Sequence, residues 1–376
     1  MVLGFNASMR RFLTAASLLV VLVVLVKQHS HHHAFVNIPI MVHYIYILRE
    51  GVSEFSFEFK HFLSVYATWH YWRPDTIYLH TNAPDEAIEL ARDGRRGKWN
   101  QLLLNIPNLQ VRSVQDPKVA GNGREITVVE HKTDFIRQEV IREMGGIYLD
   151  FDAHPLRGIS PLRRSGFNAI FGQQHGGQIN NGVFLGRARA RLLDMWRDEM
   201  HKVYDGGWTT HGNDVLTRIA PRVMRIPGEV LVLEQDAFQP AAGRWKIMFV
   251  SLGCTTTPAS LSKRTRTCTA IDYTEELRDR LDYPEGFPAW EMDYSSTYVL
   301  HASDPWRNGN SVEGFEHVTP RYILERKSNF ARAVYPVAKH MYDAGLIRID
   351  DSWESQLGEE AAALNGKEET ESVTGT

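Results

Sequence analysis

The sequence predicts an α/β protein built on a single, mostly parallel sheet with helices on both faces. Short apolar runs of strand type alternate with longer runs of helical spacing from residue 38 onward, the pattern of crossover helices laid over a parallel sheet. The best-defined strand, Ile147-Tyr148-Leu149, is apolar or aromatic at every position, as a strand covered on both faces must be. It runs into Asp150-Phe151-Asp152, and ligands of open α/β sheets bind at the carboxyl ends of strands.

Taken in order, Ile38 to Tyr46 reads as the first strand, and Glu54 to His70 as a packing helix with Phe55, Phe59, Phe62, Leu63, Tyr66 and Trp69 at helical spacing. Thr76 to His80 is the second strand, Ala83 to Ala91 a helix, Asp93 to Lys98 a basic surface loop, and Leu109 to Val114 a third strand. Thr127-Val128-Val129-Glu130 fits a capping box, so a helix is expected from about Val128 to Met144, with Val129, Ile136, Val140 and Met144 toward the sheet. Gly145-Gly146 permits the left-handed turn that ends it. Asn168 to Phe171 and Gly182 to Leu185 are two further strands, with the polar segment Gly172 to Asn181 between them as a site wall. Leu192 to Tyr204 is an amphipathic helix. No internal repeat is present. The stretch from about Gly243 to Pro288, rich in Thr, Lys and Arg, reads as an insertion.

Composition bounds the partners. Hydrophobic residues make up 43% and charged residues 23% of 376, an ordinary globular balance. A net charge of -3 leaves no footprint for nucleic acid. Residues 12–26 form an uninterrupted apolar and small run, preceded by Arg10-Arg11 and followed by Lys27. The run is short against the about 17–25 residues of a usual span, which keeps a signal peptide as an alternative. The lack of a small-x-small cleavage site after Val26 predicts an uncleaved anchor instead. The paired arginines set residues 1–11 in the cytosol. Residues 27–37 then form a stem, 38–350 the globular domain, and 351–376 a disordered acidic tail. His29 and His31 to His33 read as a solvated linker run. Cys254 and Cys268, the only cysteines, either close one disulfide in an oxidising lumen or remain two thiols. The sequon Asn6-Ala7-Ser8 falls on the cytosolic side and is expected to carry no glycan.

The chemistry concentrates around Asp150 and Asp152. Two carboxylates at a strand mouth suit a hard divalent cation, provided the chain bends there so that both reach one ion. Asp134 and Arg137, three apart on the preceding helix, form either a surface ion pair or a bidentate clamp for sugar hydroxyls.

The block His131-Lys132-Thr133-Asp134-Phe135-Ile136-Arg137, followed by Gly145-Gly146-Ile147-Tyr148-Leu149-Asp150-Phe151-Asp152, resembles the signature of the DXD-containing sugar transferases of glycosyltransferase family 32. That family includes initiating mannosyltransferases, sphingolipid mannosyltransferases and α-1,4-galactosyltransferases. Ile38 to Tyr46 resembles its opening motif, with His43 in the Ile-His position and Tyr46 where the family usually has Trp. Tyr46 either stacks on a nucleotide base or is a core aromatic. Thr209 to Arg218 resembles its second motif, with Gly212-Asn213 in place of Gly-Pro. Asp214 there either orients hydroxyls or caps the helix that follows. Tyr298 to Trp306 resembles its closing motif. The resemblance covers about residues 38 to 306.

It implies a GT-A, Rossmann-like fold and a metal-dependent, retaining hexosyltransferase. Mn2+ or Mg2+ would be held by Asp152 and His301, with Asp150 on either the metal or the ribose. The donor, GDP-mannose or UDP-galactose, would meet Asp134, Arg137, His43, Tyr46, Asp214 and Trp306; from the residues themselves, Asn180 or Asn181 either bonds the donor sugar or serves as a turn asparagine. The acceptor would be a glycan or glycolipid. With the anchor, the expectation is a single-pass type II membrane protein of the Golgi or endoplasmic reticulum with a lumenal catalytic domain. Two rivals stand beside this reading: a glycoside hydrolase, whose carboxylates face each other about 5–10 Å apart, and a non-catalytic glycan-binding protein.

Overall fold

The computed structural model describes residues 37–240, 292–302, 317–326 and 328–355. The proposed anchor, Trp306, Cys254, Cys268, the insertion and most of the acidic tail lie outside them. Among the described residues no helix is long and apolar enough to cross a membrane.

A seven-stranded sheet runs in the order β3-β2-β1-β4-β7-β6-β8, formed by Leu109–Ser113, Thr76–Thr81, Met41–Tyr46, Gly146–Leu149, Ile179–Gly186, Ala169–Gln173 and Val230–Leu233 respectively. Only β7 runs antiparallel to its neighbours, β4 and β6; every other pairing in the sheet is parallel. Between β1 and β4 the winding changes direction, which in an open sheet opens a crevice at the strand ends. This is the Rossmann-like architecture of GT-A proteins, mostly parallel and covered on both faces.

The two faces have separate apolar cores. Helices α1 (Phe59–Trp72) and α9 (Asn329–Asp343) pack on one, around Phe62, Trp99, Ile147 and Met341. Helices α4 (Val129–Met144), α6 (Arg191–Val203) and α7 (Val215–Val223) pack on the other, around Ile141, Tyr148, Phe184 and Trp196. Strand β4 feeds both, with Ile147 and Leu149 to one side and Tyr148 to the other, so its continuous apolar run follows from its central place.

Element boundaries depart from the sequence reading at several points, among them the packing helix, which starts at Phe59 and not Glu54, and β8, which has no counterpart in that reading. The stretch after Asp93 is not all loop: Lys98–Leu104 is a helix, buried through Trp99, Leu103 and Leu104. Helix α4 starts at Val129 with Val128 as N-cap and no side-chain cap, so the capping box at Thr127 does not form. Its buried face is centred on Phe135, Ile136, Val140 and Ile141, while Val129 and Met144 are only partly covered. Asn180 and Asn181 belong to β7 itself, and the polar connection shrinks to a turn over Gln174–Gln178.

The turn at Gly145-Gly146 has φ of +69° and +120°. A Cβ on Gly146 would meet Met41 O at 2.6 Å and His43 Nε2 at 2.8 Å, so glycine is required by both backbone and space.

Candidate metal and donor site

At the mouth of β4 the chain bends, as two carboxylates sharing an ion need. Ala153 N donates to Asp150 O at 3.0 Å, closing a tight turn over Asp150–Ala153. Phe151, between the two aspartates, is driven into an aromatic cluster with Tyr44, Phe57 and His61 at ring separations of 5.0, 5.4 and 5.5 Å. The half-buried ring anchors the turn and leaves Asp150 and Asp152 outside it.

Strand β5 (Ala153–Pro155) then pairs antiparallel with β9 (Val299–His301) in a small second sheet, with Ala153 opposite His301. Ala302 N donates to Asp152 O at 2.9 Å, and His301 N donates to Phe238 O at 2.9 Å. This pairing carries an imidazole from far along the chain to the aspartates. His301 Nε2 lies 3.1 Å from Asp152 Oδ1 and 3.7 Å from Asp150 Oδ2. One ligand atom from each of the three residues lies within 4.8 Å of the others.

The donor set fits a divalent cation. Two carboxylates and an imidazole nitrogen are ligands such an ion accepts, and His301 Nδ1 is engaged by Gln239 at 2.8 Å, which leaves Nε2 directed to the carboxylates. Burial disfavours the charged imidazole, but Asp152 and Asp150 outweigh it and hold the His301 pKa above its usual value. Burial, with the neighbouring Asp152 charge, raises the Asp150 carboxyl against the opposing pull of Arg137. Both shifts follow from burying two carboxylates and an imidazole in one small volume.

Close approach is built in by Gly182 on β7. A Cβ there would overlap His301 Cε1 and stand 2.5 Å from Asp150 Oδ2. Its carbonyl also accepts from Asp150 N at 2.9 Å.

Helix α4 supplies a second layer. Arg137 Nη2 lies 3.1 Å from Asp150 Oδ1, and its Nη1 donates to Asn181 O at 3.1 Å. The guanidinium lies over the Tyr148 ring at 4.5 Å, and Tyr148 Oη donates to Asp150 Oδ1 at 2.6 Å. Asp134 accepts from Asn181 Nδ2 at 2.9 Å and lies 3.4 Å from Arg137 Nη2. Burial would raise its carboxyl pKa, but Arg137 and His211 outweigh that and lower it. Asp134 and Arg137 are thus a buried pair at the rim, not a solvated one, and join Asn181 and Asp150 in one network.

The remaining sequence-predicted residues divide. Tyr46 ends β1 beside the site, its ring 4.5 Å from Phe57 and 5.9 Å from Phe151, with its hydroxyl bonded to Ser56. Asp214 is exposed; it accepts from Gln178 and from Thr209 Oγ1, and makes no side-chain cap to α7. Gln178 in turn bonds Gln174, which accepts from Asn180 Nδ2 at 2.9 Å, so Asp214 joins the site through amides. His43 is not brought to the aspartates. It is fully buried, its nitrogens bonded to His80 Nε2 and to Gly145 O, at the opposite end of β4.

Three contributors escaped the sequence reading: Gln239, Gly182 and His211. A glycine inside a strand signals close approach, so Gly182 had a readable sign. Gln239 and His211 had none.

Residues 66–173 match the family described as "Glycosyltransferase sugar-binding region containing DXD motif". "Glucan organizing enzyme 1" of Cryptococcus neoformans var. grubii is 25% identical over 214 residues, covering 54% of this chain and 54% of that protein. The chain therefore spans about half the length of that curated relative. Among solved structures, an active-site mutant of LgtC aligns at TM-score 0.40 and 13% identity, over 85% of this chain and 98% of that one. The apo form of GlyE from Streptococcus pneumoniae TIGR4 aligns at TM-score 0.39 and 11% identity, over 81% and 64%. These structural likenesses are too distant to carry any residue's role across. The family match over residues 66–173 supports a glycosyltransferase enzyme, and the Asp150, Asp152 and His301 cluster is able to hold a divalent cation.

Proposed function

We propose that the chain is a metal-dependent, retaining hexosyltransferase. It would move mannose from GDP-mannose, or galactose from UDP-galactose, to a glycan or glycolipid acceptor. The observation that carries the reading is the convergence of Asp150, Asp152 and His301 at the switch point of the sheet. With Mn2+ or Mg2+ bound there, the cation supplies charge neutralisation for the departing nucleotide diphosphate. Asp150 and Asp152 face the diphosphate side, and Gln239 keeps His301 Nε2 turned to them. Asp134 and Arg137 reach toward the donor sugar from one wall, with Asn181 beside them and Asp214 further out behind Gln178. Tyr46 offers an aromatic edge toward the base, and Trp306 belongs to the same donor assignment. Retention of anomeric configuration rests on the family resemblance.

A glycoside hydrolase fits this geometry less well. Its two carboxylates need about 5–10 Å between them to flank a glycosidic bond. Here ligand oxygens of both aspartates share one 4.8 Å cluster with an imidazole. In the cell, the apolar run at residues 12–26 supports a type II anchor in the Golgi or endoplasmic reticulum, with the domain in the lumen.

The deciding experiment is a screen of nucleotide sugars with Mn2+, reading released nucleotide and the anomer of the product by NMR. One donor should be consumed, only with metal, and Asp152→Asn should stop it. Full turnover in chelator-treated buffer removes the metal assignment, and consumption of no nucleotide sugar removes the transferase.

A further inference from the structure

Residues Thr210–Asp214 wind as a single π-helical turn directly before α7. Such turns distort the backbone hydrogen bonding and occur mostly where a side chain must be set at an angle that an α-helix does not give. Three residues of the turn are buried, and all three meet the surroundings of one carboxylate. His211 Nε2 stands 2.9 Å from Asp134 Oδ2. Asn213 Oδ1 accepts from Asn181 N at 3.2 Å, and Asn181 Nδ2 donates to Asp134 Oδ1 at 2.9 Å. A Cβ on Gly212 would come within 2.7 Å of Asn181 Nδ2 and 3.7 Å of Asp134 Oδ2.

His211 is itself immobilised. It has no exposed surface, its ring lies parallel to Phe135 at 5.5 Å, and its carbonyl accepts from Trp196 Nε1 at 3.0 Å. By hydrogen-bond geometry neither ring nitrogen has a partner among the described residues, and Nε2 meets Asp134 Oδ2 at ion-pair distance. An apolar ring would fill the same space without stranding a buried nitrogen. A space-filling role therefore does not account for histidine here.

We propose that His211 is a positioning residue for Asp134, holding the carboxylate in the rotamer that faces the donor sugar. This rests on the reading of Asp134 as a sugar contact. A carboxylate has about four lone-pair sites. Asn181 Nδ2 and Arg137 Nη2 crowd Oδ1 and His211 stands against Oδ2, which leaves Oδ2 a site for a donor hydroxyl. The turn 210–214 thus serves the donor through His211 and Asn213 rather than through Asp214 alone.

The test is calorimetry with Mn2+ on wild type, His211→Phe and His211→Gln, titrating UDP, GDP, UDP-galactose and GDP-mannose. His211→Phe should weaken the intact nucleotide sugar that wild type binds by about tenfold or more, and leave the matching free nucleotide within about twofold. His211→Gln, with an amide in place of Nε2, should recover most of the loss. If the phenylalanine variant does not fold, His211→Asn, too short to reach Asp134, takes its place. Equal binding by variant and wild type, or equal loss for sugar and free nucleotide, overturns the proposal. A wild type that binds neither nucleotide sugar overturns the donor reading instead.

Discussion

His301 Nε2 stands 3.1 Å from Asp152 Oδ1, and the register of β5 against β9, which sets His301 opposite Ala153, is what puts it there. Neither strand exceeds three residues, so the imidazole depends on few hydrogen bonds. Gln239 supplies the missing constraint through Nδ1. Outer-shell partners of this kind typically govern metal affinity by about 10–100-fold. Gln239→Leu should therefore raise the Mn2+ dissociation constant by about that factor, although no ligand is removed. His301→Ala should raise it further. Calorimetric Mn2+ titration of the two variants reads both, and equal affinity in Gln239→Leu and wild type contradicts the role.

Gly182 sets the spacing of the same cluster. A methyl group there has nowhere to go except into His301 and Asp150. Overpacking in a closed site typically costs about 1–3 kcal/mol of stability. The cost to function should be larger, because the two ligands are forced apart. Gly182→Ala is expected to lose about 100-fold or more in nucleotide-sugar turnover while its melting curve stays cooperative. Retained turnover would mean that the ligands do not need this approach.

Acid should destabilise the fold before it protonates most carboxylates. Burial, with His80 and Arg112 nearby, lowers His43 to about 3; burial and Arg112 lower His80 to about 4; burial lowers His154 to about 3. Above pH 6.5 these side chains are neutral in folded and unfolded chains alike, and their contribution to stability is flat. Below it the unfolded chain binds protons that the folded chain refuses, so stability falls as pH drops from 6.5 toward 4 and 3. Each histidine kept neutral contributes a loss of about 2 kcal/mol at pH 5. Urea unfolding at pH 7.5 and pH 5 should show the drop. His80→Gln, which keeps a donor toward His43, should shrink it by about one histidine's share. A pH-independent midpoint would contradict the shifts.

What the sequence disclosed depends on how local its cause was. The bend at Asp150–Ala153, the glycine turn before β4 and the alternation into a parallel sheet are written in neighbouring residues, and the structure has them. His301 was reachable because a strand ending in His, after two other motifs in order, is itself a local signal. Gln239 and His211 act across the fold, through one contact each, and no spacing along the chain encodes that. Asp134 and Arg137 were legible as a pair, but not as a buried one. Their burial comes from β7 and the π-turn closing over them. His43, in the motif by its position, sits three residues before the end of β1, and its imidazole bonds Gly145 O at the start of β4, away from the aspartates.

Arg137 offers the sharpest separation of charge from geometry. Its guanidinium reaches Asp150, the Asn181 carbonyl at 3.1 Å, Thr133 Oγ1 at 3.0 Å and Asp134 at 3.4 Å, flat over Tyr148. Lysine would keep the charge but has no planar fork, so it can satisfy only part of that set. Arg137→Lys should fold, with about 1–3 kcal/mol less stability from the unpaired neighbours, and lose about 100-fold in kcat/KM. Arg142 makes a fit comparison. It lies on the same helix and pairs with Asp194 at 2.6 Å and Glu139 at 3.1 Å, away from the aspartate pair. Arg142→Lys should keep activity within about twofold at a similar cost in stability. If both substitutions reduce activity alike, the loss belongs to the helix as a whole, and Arg137 has no special claim on the donor.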